Sequence, residues 1–271
     1  MSTPTILLAP ALPGPASDVA AEAILRGLGR SGVVAADFEI GPCPRKAGRL
    51  ALDSWAMRLE TVAALLDRAG DGADIVVGHG RLALFDGAED GSGSIADLAA
   101  LFGLPVVLLA DATLLGNSVV ALIDGHLRHR DDVQIAAAVL AGVADAAHAR
   151  RLLAACDACF SAPVLGCIRA DAEPELDLAR LLRLARHPSV TPLQADARPL
   201  RPIGQRIAVA TGPGFEAALT SVLDGWRQQG SELQPFVPGA GDMVPSNADA
   251  VYLPPGDLVA PPVGTSLRNG L

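Results

Sequence analysis

Several groups of residues in this 271-residue chain have types and spacings that chemistry uses. Cys156 and Cys159 have two residues between them, and Cys167 follows eight residues on. Thiols so spaced serve zinc or redox chemistry. Here Cys156 falls near the end of a helical pattern and Cys167 inside an apolar strand pattern, with no obvious fourth ligand, so small buried thiols and no metal site are expected. His126 and His129 fall at another helix end, where cationic side chains favour the dipole. Asp86-Gly87 and the run Glu89-Asp90-Gly91 offer carboxylates to a cation, although an Asp-Gly turn with solvated acids is the plainer expectation. Asp53, Ser54 and Trp55 set a carboxylate, a hydroxyl and an indole before a helical pattern, as a cap followed by a half-buried Trp would.

The elements that must position these residues alternate from the start. Continuous apolar runs at 5–8, 33–40, 75–77, 106–110, 135–140 and 164–168 predict strands. Between them, 18–28, 56–68, 95–102, 115–127 and 146–155 have helical periodicity, and 176–184 adds a closing helix. Fully apolar strands separated by helices are the signature of a parallel sheet covered on both faces. The fold class expected is α/β, a doubly wound, mainly parallel sheet over residues 1–186. A proline-bearing stretch, 187–205, predicts a linker. After it a second αβ pattern begins, with strands at 206–210, 233–237 and 250–253 and a helix at 214–229. At roughly 100–150 residues for an ordinary domain, 206–271 is only the first part of one.

Composition narrows the function classes. Half of the residues are hydrophobic and the formal net charge is −9. An acidic chain without clustered cations is a poor binder of nucleic acid. No apolar run is long enough for a membrane span, and the amino terminus lacks the pattern of a signal peptide, so a cytoplasmic protein is expected. Of the 21 basic residues, Lys46 is the only lysine.

The order of several short segments resembles the cobyrinic acid a,c-diamide synthase family of cobalamin biosynthesis. They are Leu52-Asp53-Ser54-Trp55-Ala56-Met57, Leu84-Phe85-Asp86-Gly87 and Gly93-Ser94-Ile95-Ala96-Asp97-Leu98-Ala99. Pro105 to Ala112, Pro163 to Ile168 and Ala250 to Pro254 continue the series across nearly the whole chain. The resemblance implies an ATP-using synthetase domain of P-loop-related fold, joined to a flavodoxin-like glutamine amidotransferase domain, that amidates acetate side chains of a corrin ring through acyl phosphates. It also implies that the region around Asp53, Ser54 and Trp55, with Asp86, Gly87 and Ser94, borders a ligand pocket.

Set against that family, the nucleotide site is altered at several places. A phosphate-binding loop needs glycines for close approach of backbone N–H groups, a lysine, and a hydroxyl for magnesium. The loop after the first strand reads Pro13-Gly14-Pro15-Ala16-Ser17-Asp18. Ala16 stands where the resemblance implies a lysine and Pro15 where it implies a glycine, and a proline removes a donor and fixes φ. Asp18, with Ser17 beside it, is expected to cap the helix there. His79 stands where the family has a glutamate, which suits magnesium as a neutral imidazole does not. Its bland role is that of a polar residue at a strand end. Ala141-Gly142 replaces an Asn-Arg pair that the family associates with nucleotide recognition. Glutamine hydrolysis needs a Cys nucleophile, a His and an oxyanion hole. Within these residues no Cys follows Cys167, no His follows His187, and Pro255-Gly256 replaces the Gly-Gly of the hole.

The expectation is therefore a homologue with no catalytic residues, no cofactor and no metal, acting as a binding, scaffold or regulatory subunit. Its partner would be an intact family member or another tetrapyrrole enzyme, and its ligand a tetrapyrrole. The alternative is an active amidoligase using Mg-ATP, with Arg45, Arg49 or Arg81 in place of the lysine. A third possibility is a domain that keeps only the fold.

Overall fold

The structure, a computed structural model, describes residues 2–41, 50–52, 54, 57–80, 82–88, 90–169, 174–189, 200–212, 215 and 220–254. It divides into two compact units, Met1–Gly41 with Ser54–Ala195, and Pro42–Asp53 with Asp196–Leu271.

The large sheet is built from β1 (Thr5–Pro10), β2 (Ala35–Ile40), β3 (Leu50–Leu52), β4 (Ile75–Gly80), β5 (Val106–Asp111), β6 (Ile135–Val143), β7 (Val164–Arg169) and β8 (Glu175–Leu176). These eight strands run in the order β3-β2-β4-β1-β5-β6-β7-β8. The pairings β2–β4, β4–β1, β1–β5, β5–β6 and β6–β7 are parallel, and β7–β8 is antiparallel. All six residues of β1 and all six of β4 are buried, as central strands covered on both faces must be. Between the strands lie α1 (Pro15–Arg30), α2 (Leu59–Ala69), α3 (Ile95–Phe102), α4 (Ser118–His129), α5 (Ala146–Cys159) and α6 (Leu178–Leu184).

Alternation along β1 shows the two faces. Ile6 and Leu8 join Val107 and Val139 in a core with Ile24 and Leu28 of α1 and Leu181 of α6. Leu7 and Ala9 point the other way and are also fully buried, so the opposite face is covered too. This is the mixed α/β architecture, with a large and mostly parallel sheet, that the apolar runs predict.

Several details differ from the expected elements, among them α4, which begins at Ser118 and not at 115. The two shortest strands, β3 and β8, were not anticipated. β8 and its turn occupy the start of the predicted helix at 176–184, which begins instead after Asp177, whose carboxylate accepts from the Arg180 N–H at 2.8 Å. Helix α1 begins at Pro15 rather than at Asp18. Proline is well placed at the first helical position, where its missing N–H leaves nothing unsatisfied.

In the second unit β9 (Arg206–Ala210) lies between β10 (Glu232–Phe236) and β11 (Ala250–Tyr252), both parallel to it. Ile207 and Val209 meet Leu223 and Trp226 of α7 (Thr220–Gln228) on one face. Ala208 and Ala210 meet Phe215 and Phe236 on the other.

Candidate functional site

In a doubly wound sheet, ligands bind outside the carboxyl ends of the strands where the strand order reverses. Here that point lies at β1, whose neighbours are β4 and β5. Two hydrogen bonds tie its end: Ala11 N–H donates to the Leu109 carbonyl at 2.8 Å, and Leu84 N–H to the Pro10 carbonyl at 2.9 Å. The chain then passes through exposed Leu12 and Pro13 to Gly14. Gly14 is extended, with φ 168° and ψ 164°, and no side chain caps the helix N-terminus. Pro15 is its first residue, followed by Ala16 and Ser17. Asp18 lies in the first turn, where its charge favours the dipole and opposes an anion. The expectation that Asp18 caps the helix is thereby corrected.

Beside β1, the end of β5 folds back on itself. One oxygen of Asp111 accepts from the Thr113 N–H at 2.8 Å and from its hydroxyl at 2.6 Å. Ala141, on the neighbouring β6, is buried. It and Gly142 lie inside that strand, which runs on to Val143, and not in the loop after it. Gly142 has φ 65°, and a Cβ there would run into the Thr113 hydroxyl and come within 2.6 Å of the Asp111 carboxylate. The Asp111–Thr113 turn thus occupies the space that a larger residue at 142 would need. On the other side of β1, His79 is buried near the end of β4, its Nε2 3.2 Å from Asp37 Oδ2 on β2. It is the polar strand-end residue expected, already partnered by a carboxylate.

The loop from β4 to α3 carries the Asp86-Gly87 and Ser94 landmarks, and most of its polar groups are engaged. Ala88 N–H donates to the Ser92 carbonyl at 2.8 Å, closing a turn in which a Cβ on Gly87 would run into that same carbonyl. Asp86 is exposed. Asp90 accepts from the Ser92 N–H and hydroxyl at 3.0 and 2.6 Å, and these bonds hold its carboxyl below the usual value. Ser54 donates its hydroxyl to the Gly93 carbonyl. Asp53 and Trp55 lie outside the described residues, as do Arg45, Arg49 and Arg81.

Ser94 is the N-cap of α3. Its hydroxyl accepts from the Asp97 N–H at 3.1 Å and the Asp97 carboxylate accepts from the Ser94 N–H at 3.1 Å, a reciprocal capping box. The other oxygen of Asp97 is 2.7 Å from Arg130 Nη1, and Arg130 also holds Asp132 at 2.7 Å. Partial burial raises the Asp97 carboxyl, but the bonds from Arg130 and Ser94 outweigh it and hold the group below its usual value. The same loop is fixed at Phe85, whose ring lies 5.4 Å from that of His126 and 4.5 Å from that of His129. Both histidines are in the last turn of α4, the helix end anticipated for them. Their contact with Phe85 was not foreseen; aromatic and imidazole rings far apart in sequence carry no local signal of pairing.

The cysteines sit elsewhere. Cys156 and Cys159 are in the last turn of α5, the first buried and the second exposed, and Cys167 is buried in β7. Burial, then the neighbouring Asp157 and thiols, push the Cys156 thiol up to about 11. Burial likewise raises Cys167. Among the described residues no cluster of three His, Cys, Asp or Glu side chains could hold a metal. No helix among them is long and apolar enough to cross a membrane.

The large, mostly parallel sheet with helices between its strands places the chain among the mixed α/β proteins, and several of the polar landmarks lie at its carboxyl edge. Relatives narrow this further. The hydrogenobyrinate a,c-diamide synthase of Rhizobium meliloti is 38% identical over 233 residues, covering 75% of this chain and 54% of that protein. That of Brucella ovis is 35% identical over 273 residues, covering 86% and 63%. That of Mesorhizobium japonicum is 33% identical over 245 residues, covering 76% and 54%. Over the matched region the chain is a homologue of these synthases, which are of the cobyrinic acid a,c-diamide synthase family. The chain spans between 54% and 63% of the length of these relatives. No family model matches the chain. A DUF1611-family protein of Anabaena variabilis overlays with a TM-score of 0.43 at 13% identity, covering 68% of this chain and 57% of that one.

Proposed function

We propose that this chain is a non-catalytic member of the family, a binding, scaffold or regulatory subunit connected to corrinoid or other tetrapyrrole metabolism. In this reading the first unit is a P-loop-type synthetase domain that has lost its phosphate site. The second is the beginning of a flavodoxin-like amidotransferase domain, its order β10-β9-β11 matching the 2-1-3 start of that fold. The partner is a protein subunit, an intact family member or a tetrapyrrole enzyme, and the ligand a tetrapyrrole.

The observation that carries the proposal is the carboxyl edge beside β1. The turn that would cradle phosphate has prolines at 13 and 15 and an acid in the first turn of its helix. Both prolines lack the N–H that a phosphate nest uses. Next to it, the chain's own Asp111–Thr113 turn occupies the space over Gly142. His79, in place of a hard oxygen ligand, is committed to Asp37. Mg-ATP does not fit these residues.

Thermal unfolding with and without ligands tests the proposal. A ligand that binds only the native state at 100 times its Kd adds about 2.7 kcal/mol. Mg-ATP is expected to leave the transition where it is, and hydrogenobyrinate or another corrinoid to raise it. A rise with Mg-ATP would return the chain to the active amidoligases.

A further inference from the structure

We propose that Cys156 and Cys159 form a dithiol–disulfide redox site at the end of α5, one that takes a small-molecule disulfide as its oxidant and reshapes the adjacent surface groove. The inference is independent of the proposed function, because these thiols lie away from the carboxyl edge.

The placement of the two thiols is asymmetric in the way an entry and a resolving thiol require. Cys159 is the last residue of α5 and is exposed; Cys156, one turn back, is buried. Cys159 also lines a groove of about 580 Å³ together with Leu127, Arg128, Gln134, Phe160 and Ser161. An oxidant therefore reaches Cys159 from the groove and cannot reach Cys156 directly. The raised thiol of Cys156 agrees with that order, since a buried thiol carries little thiolate to start the exchange.

The backbone permits closure at this end of the helix. Residues three apart on a helix have Cβ atoms about 5–6 Å apart, and a disulfide brings them to about 3.5–4.5 Å. Only the final turn has to tighten. Phe160 has already left the helix, with φ −147° and ψ 158°, and one backbone bond, Phe160 N–H to the Cys156 carbonyl at 3.1 Å, closes that turn. Cys167 is less free to follow, because β7 is hydrogen-bonded to both β6 and β8.

The exchange balances in two steps. Cys159 thiolate attacks one sulfur of the oxidant, whose S–S bond breaks, and the first thiol leaves. Cys156 gives its proton to solvent and attacks the Cys159 sulfur, and the second thiol leaves. The chain loses two hydrogens and the oxidant becomes two thiols. The segment Cys159–Ala162, one wall of the groove, shifts with the tightened turn.

The experiment treats the full chain with oxidised glutathione, quenches with acid, alkylates the free thiols and maps the peptides by mass spectrometry. The native chain should lose two hydrogens, with the bridge between Cys156 and Cys159. Hydrogen exchange at the Phe160 amide should quicken at least tenfold on oxidation. Cys156→Ala should stop at glutathionylated Cys159. Cys159→Ser, an exposed change that the fold tolerates, should leave Cys156 unmodified, and Cys167→Ala should still close the bridge. A native chain that stops at the mixed disulfide overturns the proposal, as does a bridge that recruits Cys43 or Cys167.

Discussion

The turn from β1 to α1 and the loop from β4 to α3 both leave the carboxyl edge of the large sheet, yet they are built in opposite ways. The first is sparse: exposed Leu12, two prolines, an extended Gly14 and a helix start without a side-chain cap. The second is dense, with a capping box, an arginine bridging two carboxylates, and a phenylalanine against two histidines. Two of the segments that resemble the family, Leu84 to Gly87 and Gly93 to Ala99, lie in the dense loop and the helix it starts. Ser94 and Asp97 cap a helix, Gly87 permits a close turn, and Phe85 anchors the loop to α4. Survival of these landmarks follows from what they do for the fold, and so does not by itself argue for a retained ligand. Asp86, whose side chain is exposed, is the landmark whose presence the fold explains least.

The strongest way to break the comparison is at Gly142, where the sparse edge has closed over itself. Gly142→Ala puts a Cβ onto the Thr113 hydroxyl and forces a left-handed φ of 65° on a residue that disfavours it. Overpacking and the backbone term together are expected to cost about 2–4 kcal/mol. Urea unfolding measures it. A cost below about 0.5 kcal/mol would mean that the Asp111–Thr113 turn yields readily and that the edge is open to a larger ligand-contacting residue.

Next comes the cap. Ser94→Ala removes the hydroxyl that satisfies the Asp97 N–H at a buried helix start. The expected loss is about 1–2 kcal/mol, read by the same unfolding curves. If instead stability is kept and only affinity for a corrinoid falls, Ser94 belongs to a pocket and the dense loop is more than a structural one.

Arg130→Ala should cost about 1 kcal/mol at neutral pH, the pair being partly exposed. The pH dependence has a definite sign. Asp97 binds protons less readily in the folded chain than its ordinary 3.8. Its contribution is complete above that value and is lost as pH falls through the lowered folded value. The difference between native and Arg130→Ala chains should therefore shrink in acid, below about pH 4. A difference that stays constant from neutral to acid would show that Arg130 acts through contact area rather than through charge.

How much of this was legible in the sequence varies with how local the cause is. The central strands announce themselves as unbroken apolar runs, and α3 was placed to the residue because its cap and its apolar stripe are adjacent in the chain. The Ser94–Asp97 spacing is a capping box that can be read from sequence, although the family resemblance had drawn Ser94 toward a ligand. The start of α1 lies three residues before the Asp18 that a side-chain cap would suggest, because Pro15 opens the helix without one. The two-residue β8 and the three-residue β3 are too short for a periodicity, and β11, no longer than β3, was found only because Val251, Tyr252 and Leu253 make an apolar run before a proline. The Arg130–Asp97 pair spans 33 residues, and the left-handed Gly142 depends on what β5 does beside it. Such tertiary causes leave no mark in a single sequence.

The smallest expected effect is the most informative about the sparse turn. Ala16→Lys returns a lysine to the second helical position of α1, on a half-exposed site where stability should change by less than about 0.5 kcal/mol. It should confer no Mg-ATP-dependent rise in the unfolding temperature, because a lysine supplies charge while Pro13 and Pro15 still withhold backbone donors. Pairing it with Pro15→Gly restores one donor and the freedom of φ as well, and leaves Pro13, Asp18, the Asp111–Thr113 turn and His79 in place. If the double variant binds Mg-ATP and the single does not, the loss of the phosphate site lies in the turn alone. If neither binds, the remaining obstacles, Pro13 and Asp18 in the turn or the neighbouring strands from β4 to β6, still close the site, and adding Pro13→Gly and Asp18→Ala separates the two.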